Sequence, residues 1–348
     1  MTPTPPVFSE VFRELVSPAG ISRELVRQVF DTVLAGGWTP AQIAGFMVAL
    51  RLRGETAPVI AAAAEAMRAA MLPVDHGLPR VLDTCGTGGD GQGTLNLSTG
   101  AAIVAAACGV PVAKHGNRAI SSRAGSADVI EALGIPLDLR PESSAAVLRE
   151  AGIAFLMAPG HHPAMRHAAP VRRELGIRTL FNCLGPLANP ARATHQLLGT
   201  YDDALRPVLA ETLRSLGTER AWIVRGEDGL DEVSPYGRTR VTELDHGSTR
   251  ELVVEPGDFG LSPSRPGAIQ GGDGTENARV LEAVLGGQDH PARDAFVLNA
   301  AAALVVAEAM APAEATERVR EAIRSGRALG TLARWRAVAQ RRKSSEGE

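Results

Sequence analysis

The sequence predicts an α/β fold in which a small all-helical part precedes a larger part with a mainly parallel central sheet flanked by helices. Three observations carry this. Residues Phe8 to Leu72 show helical periodicity and no strand pattern. Beyond Pro73 to Pro79, a plausible linker, short apolar runs alternate with alanine-rich stretches of helix length. Two of those runs end in loops rich in glycine, hydroxyl and basic residues, where ligands of such sheets bind, at the carboxyl ends of the strands.

Taking the elements in order, Leu25, Val26, Val29, Phe30, Val33 and Leu34 form a stripe that stops at Gly36 and Gly37. Thr39 then suits an N-cap with Pro40 at the first helical position, and Ile43, Phe46, Met47 and Leu50 share one face. Thr56 begins a third, alanine-rich helix. The leftover apolar faces of so small a bundle need the second domain, another subunit or simple internal packing, and pattern alone does not choose among them.

Strands are expected at Val81 to Asp83, Val110 to Ala113, Ile153 to Met157, His195 to Tyr201 and Ala221 to Val224. Helices are expected at about Thr99 to Cys108, Ser126 to Leu133, Glu142 to Glu150 and Asp203 to Leu216. Pro163 opens a helix bearing Arg166, His167, Arg172 and Arg173, and Asn182 to Pro190 reads as a turn-rich connection suited to a hinge. Val241 to Phe259 alternates as edge strands do, Asp294 to Met310 is a helix that packs on the sheet, and Ala315 to Arg336 is a helical finish before a frayed Arg341 to Glu348.

The 348 residues, 45% of them hydrophobic, suffice for a substantial core. A net charge of −3 with interleaved signs gives no sign of a nucleic-acid or bilayer surface. Cys85, Cys108 and Cys183 are odd in number and lack metal-ligand spacing, and Met1 to Glu10 has no apolar signal core, so the cytoplasm is the expected compartment. Cys85 reads as a small buried residue rather than a nucleophile, since no base is tied to it by local sequence.

The chemistry concentrates between Val81 and Gly134. Gly86, Gly88, Gly89, Gly91 and Gly93 follow the first strand, and Asn96, Ser98 and Thr99 precede an alanine-rich helix; close backbone N–H groups and hydroxyls at a helix start suit phosphate. The second strand leads to Lys114, His115, Gly116, Asn117 and Arg118, then Ser121, Ser122, Arg123 and Ser126. Gly86, Gly88 and Gly91 match a dinucleotide fingerprint, but no helix opens at once and no acid lies between Asp90 and Asp128 to hold a ribose. Asp231 and Glu232 stand at the end of the fifth expected strand. An isolated acidic pair is usually surface decoration, but beside two phosphate loops it suits magnesium shared with substrate phosphates.

The motifs CGTGGD (Cys85 to Asp90), NLST (Asn96 to Thr99), KHGNRAISS (Lys114 to Ser122), GSAD (Gly125 to Asp128), RRELGIRTLFNCLGPLAN (Arg172 to Asn189) and LDEVSP (Leu230 to Pro235) resemble those of the anthranilate phosphoribosyltransferases, over nearly the whole chain. The resemblance implies a nucleoside-phosphorylase/phosphoribosyltransferase-like fold and transfer of phosphoribosyl from 5-phosphoribosyl-1-diphosphate (PRPP) to the amine of anthranilate. It implies a helical dimerisation domain, residues 1–73 with about 163–190 returning to it, and an α/β domain of 74–162 and 191–348. It places PRPP on Gly86, Gly89, Asp90, Thr94, Asn96, Ser98, Thr99, Lys114, Gly116, Asn117, Arg118, Ser122 and Ser126, anthranilate on Gly86, His115, Asn117 and Arg172, and about two Mg2+ ions per subunit on Ser98, Asp231 and Glu232. No general base is assigned, because the aryl amine is already neutral; His115 is the candidate. Met165 and the pair Arg123-Ala124 depart from common family residues beside these contacts. The rivals are a pyrimidine-nucleoside phosphorylase, which thymidine cleavage without PRPP turnover would favour, and an inactive nucleic-acid-binding relative, against which the intact motifs and absent basic excess argue.

Overall fold

The computed structural model describes residues 5–119 and 123–347. Four helices open the chain: α1 (Phe8–Val16), α2 (Arg23–Leu34), α3 (Pro40–Arg53) and α4 (Ala57–Ala70). Ser22 Oγ accepts the Leu25 N–H at the start of α2, and Thr39 and Gln42 form a capping box ahead of α3, with Pro40 supplying the preset φ of its first position. Both expected stripes point inward, from Val26 to Leu34 on α2 and from Ile43 to Leu50 on α3, with Leu25 at the rim.

The α/β part follows: β1 (Leu82–Gly86), α5 (Leu97–Ala107), β2 (Val112–Gly116), α6 (Ser126–Ala132), α7 (Pro141–Ala151) and β3 (Ile153–Met157). The chain then leaves the sheet through α8 (Ala158–His161), a 3-10 turn (Pro163–His167), α9 (Ala169–Leu175) and α10 (Phe181–Leu187). It re-enters as β4 (His195–Gly199), α11 (Leu205–Ser215), β5 (Arg220–Gly226), β6 (Thr239–Asp245) and β7 (Ser248–Val254), and ends in α12 (Gly274–Leu285), α13 (Arg293–Glu308), α14 (Pro312–Arg324) and α15 (Arg327–Ser344). The sheet order is β3-β2-β1-β4-β5-β6-β7, parallel through β5. The last two strands form an antiparallel hairpin whose turn, His246–Gly247, has φ of 44° and 85°, the positive values a two-residue hairpin needs.

Alternating side chains divide the interior into two cores. Leu197, Trp222 and Val224 face α5 and α13, where Gly100 lets the Phe296 ring come within 2.3 Å of where a Cβ would sit. Leu198, Ala221 and Ile223 face the other way and share one core with Phe30, Met67, Phe181 and Leu184. The helical part and the segment from α9 to α10 therefore bury their apolar faces together against one side of the sheet.

Several expected boundaries are corrected. β2 starts at Val112, because Pro111 has no N–H for the ladder, and runs through Lys114 and His115, whose backbones pair with Phe155 and Leu156. β1 likewise continues to Gly86. The helix expected from Pro163 splits at Ala168, since Pro170 starts a new turn, and Asn182 to Pro190 is largely the helix α10 rather than turns. Gly326, with φ of 75°, breaks the final helix in two. Arg341 to Ser344 continue the last helix rather than fraying, because Arg341 and Arg342 pair with Glu150 and Lys343 with Asp138.

Candidate functional site

The strand order reverses between β1 and β4, and such a switch point opens a crevice beyond the carboxyl ends of the strands. Gly86 and Gly199 close these two strands as register partners. A Cβ on Gly86 would lie 2.8 Å from Asp231 Oδ2, and one on Gly199 would lie 1.6 Å from the Asp231 carbonyl oxygen. The paired glycines thus admit the loop after β5, and with it Asp231 and Glu232, to the mouth of the crevice.

The loop after β1 has Gly88, Gly89, Gly91 and Gly93 at φ of 66°, 82°, 75° and 62°, all left-handed. The Gly88 N–H donates to Asp231 Oδ2 at 3.0 Å and the Thr87 N–H to the Gly199 carbonyl. The N–H groups of Gly89, Asp90 and Gly91 donate to nothing among the described residues. Successive unpaired amides in such a turn form a concavity for an anion.

Opposite lie the start of α5 and the end of β2. Lys114 is 2% exposed, and its Nζ donates to the Thr84 carbonyl at 2.5 Å and to Ser98 Oγ at 3.2 Å. The Ser98 N–H donates to Glu232 Oε1 at 3.2 Å. Asn96 donates to the Ala124 carbonyl and accepts from Asn277 Nδ2, which ties α5 to α12. Burial lifts the Asp231 and Glu232 carboxyls above the usual range, and neighbouring acid adds to it: Asp90 beside Asp231, and Asp231 beside Glu232. Asp90 Oδ2 is buried without a partner among the described residues.

No group of three or more His, Cys, Asp or Glu side chains among those residues is spaced to hold a metal by itself. The donor set nonetheless fits magnesium. Crowded hard-oxygen carboxylates with a hydroxyl nearby suit an ion that takes its remaining ligands from phosphate and water.

The acceptor side comes from the helical return. Arg172 is half-buried, its Cζ 5.4 Å from the Phe181 ring centroid, with no carboxylate partner among the described residues. Burial lowers its pKa. His115 Nδ1 lies 3.0 Å from the Gly185 carbonyl, which can only accept, so Nδ1 carries the proton and Nε2 is a bare acceptor, buried and unpartnered among the described residues. Burial, and next the His162 ring 5.2 Å away, lower the His115 pKa to about 3. Beneath it, Asp83 accepts from the His115 N–H at 3.2 Å and from Asn189 Nδ2 at 2.8 Å; burial raises its pKa to about 6.

The other expected residues are placed unevenly. Asn117 and Ser126 meet at the start of α6, where Ser126 Oγ is 3.4 Å from the Asn117 carbonyl and Gly116 leaves it room. Thr94 bridges to Gln270. Thr99 is fully buried and its hydroxyl has no partner among the described residues. Arg118 points to solvent, paired with Asp128 and Glu131 of α6 at 3.1 and 2.8 Å. Ser122 lies outside the described residues. Sequence reading missed Asp83, His162 and Gly199. Only Asp83 left a signal, an acid inside an apolar run.

Two family models match, the glycosyl transferase family helical bundle domain over residues 9–71 and the glycosyl transferase family a/b domain over residues 78–329. The anthranilate phosphoribosyltransferase of Chelativorans sp. is 48% identical over 94% of this chain and 97% of its own, and that of Agrobacterium fabrum 47% identical over 94% and 95%. Among solved structures, the Thermus thermophilus anthranilate phosphoribosyltransferase superposes with a TM-score of 0.87 at 44% identity, covering 92% of this chain and 96% of that one. The Saccharomyces cerevisiae enzyme in complex with PRPP and Mg gives 0.88 at 31%, covering 96% and 98%.

Proposed function

The chain belongs to the anthranilate phosphoribosyltransferase family and transfers the phosphoribosyl group of PRPP to the amine of anthranilate, releasing diphosphate in a step of tryptophan biosynthesis; from that premise we propose how its residues divide the work. The unpaired amides of Gly89, Asp90 and Gly91 receive the diphosphate, and Lys114, Asn96 and Asn117 hold the ribose phosphate side. Bound magnesium, held by Ser98, Asp231 and Glu232 as about two ions per subunit, offsets the charge that collects on the departing diphosphate. Arg172 takes the anthranilate carboxylate through a planar, charge-assisted contact, and its lack of a carboxylate partner among the described residues supports that role.

His115 Nε2 accepts one amine N–H and leaves the nitrogen lone pair free to face ribose C1. The amine needs no deprotonation before attack, so the protein contributes orientation and charge stabilisation rather than a base. Residues 1–73 with 163–190 act as one body and the remainder as the other, closing Arg172 toward the glycine loop. The enzyme works as a cytoplasmic homodimer through its first helices, where Phe12, Val16 and Leu52 are exposed. No single helix among the described residues is long and apolar enough to cross a membrane.

The observation that carries this reading is the Gly86–Gly199 gap that seats Asp231 beside a loop of unpaired amides. Loss of anthranilate fluorescence with purified protein, PRPP and magnesium, each omitted in turn, tests it. Loss that persists without PRPP or without magnesium would overturn it.

A further inference from the structure

Arg178 lies between α9 and α10, exposed, and its guanidinium makes two contacts across the switch point. Nη2 donates to the Gly89 carbonyl, and Cζ sits 4.1 Å from the Tyr201 ring centroid. Tyr201 follows β4 and is itself held, its N–H donating to Thr87 Oγ1 at 3.2 Å and its carbonyl accepting from Arg225. The segment that carries Arg178 is fixed to the helical side, because the Phe181 ring lies 5.3 Å from that of Phe30.

A peptide unit is planar and, here, trans, so a carbonyl held on one side turns its N–H to the other. With the Gly89 carbonyl on Arg178, the Asp90 N–H is directed away from the guanidinium, and it has no partner among the described residues. Glycine-rich backbone adopts either hand readily, so nothing local prevents this peptide from rotating and scattering the amides that an anion needs to converge. A side chain at position 89 would itself crowd Arg178, its Cβ 2.9 Å from Nη2.

We propose that Arg178 is a positioning residue for PRPP, locking the Gly89–Asp90 peptide so that the loop amides converge on the diphosphate. It does so without touching the substrate. The proposal rests on the placement of PRPP at the glycine loop. Calorimetric titration of magnesium and PRPP into wild type, Arg178→Ala, Arg178→Lys and Asp231→Asn, together with steady-state kinetics, tests it. Arg178→Ala should weaken PRPP binding about tenfold, the scale of one charge-assisted hydrogen bond, with kcat and the anthranilate KM at saturating PRPP within about twofold. Arg178→Lys, which keeps a donor but not the planar stack on Tyr201, should recover part of the loss; it also serves if the alanine variant does not fold. Unchanged PRPP affinity in both Arg178 variants, or equal losses for both substrates, would overturn the role while a weakened Asp231→Asn leaves the placement of PRPP standing. If Asp231→Asn also binds PRPP normally, the placement itself falls and the role of Arg178 with it.

Discussion

Gly86 and Gly199 face each other at the ends of β1 and β4, and the Asp231 backbone runs through the space that a side chain on Gly199 would fill. Gly199→Ala would meet main chain at 1.6 Å and must push the loop after β5 outward, whereas Gly86→Ala meets only a carboxylate tip at 2.8 Å. Gly199→Ala should therefore abolish most turnover and raise the magnesium needed for half-maximal rate, and Gly86→Ala should do so more mildly. Magnesium titrations of the two rates check the order.

Asp231→Asn or Glu232→Gln should lower turnover and raise magnesium demand without removing a limb of the pH–rate profile. A proton-transfer role would do the reverse. Unchanged magnesium demand in both variants would reject their assignment as ligands, even with activity lost.

Arg172→Ala should raise the anthranilate KM by about ten- to a hundredfold, from the roughly 1.5 to 3 kcal/mol of a charged hydrogen bond, and leave PRPP binding within a few fold. Steady-state titration of each substrate decides it. Parallel losses would show a fault in folding rather than in carboxylate recognition.

His115 stays neutral in the folded chain until about pH 3, while in the unfolded chain it takes up a proton below about pH 6.5. Because the folded pKa is depressed, its linkage costs stability as pH falls from 6.5 toward 3. Relative to His115→Gln, wild type should lose up to about 1.4 kcal/mol per pH unit in that window. Denaturant melts of both proteins at pH 7 and pH 5 measure the difference, and a constant gap between them would contradict the buried, neutral ring.

Replacing Phe12, Val16 and Leu52 by polar residues should convert a dimer to monomer in light scattering. A wild type that is monomeric and fully active when dilute would refute the proposed interface.

What the sequence revealed divides along the range of the interactions involved. Helix stripes and starts such as Thr39 with Pro40 are local and were readable, as was the alternation that makes a parallel sheet. Lys114 and His115 were misplaced into a loop because polarity marks a loop only when no buried partner exists, and here the Thr84 and Gly185 carbonyls provide one from 30 and 70 residues away. The same reason hid Asp83, whose partner Asn189 lies 106 residues on, and Gly199, whose meaning depends on a loop from another strand. Arg118 looked like a phosphate ligand from its place in a basic loop and from the resemblance, and its ion pairs with Asp128 and Glu131 could be seen only once α6 was placed beside it.

The excursion from α8 to α10 also bears on how the chain is made. The faces of α2 and α4 that bury Phe30 and Met67 are covered by Phe181 and Leu184, which lie 151 and 117 positions downstream of them. At a synthesis rate of about 5 to 20 residues per second, this apolar face waits roughly 6 to 30 s for its cover. During that interval the apolar face of the nascent helices is open to chaperones and to the helices of a neighbouring nascent chain.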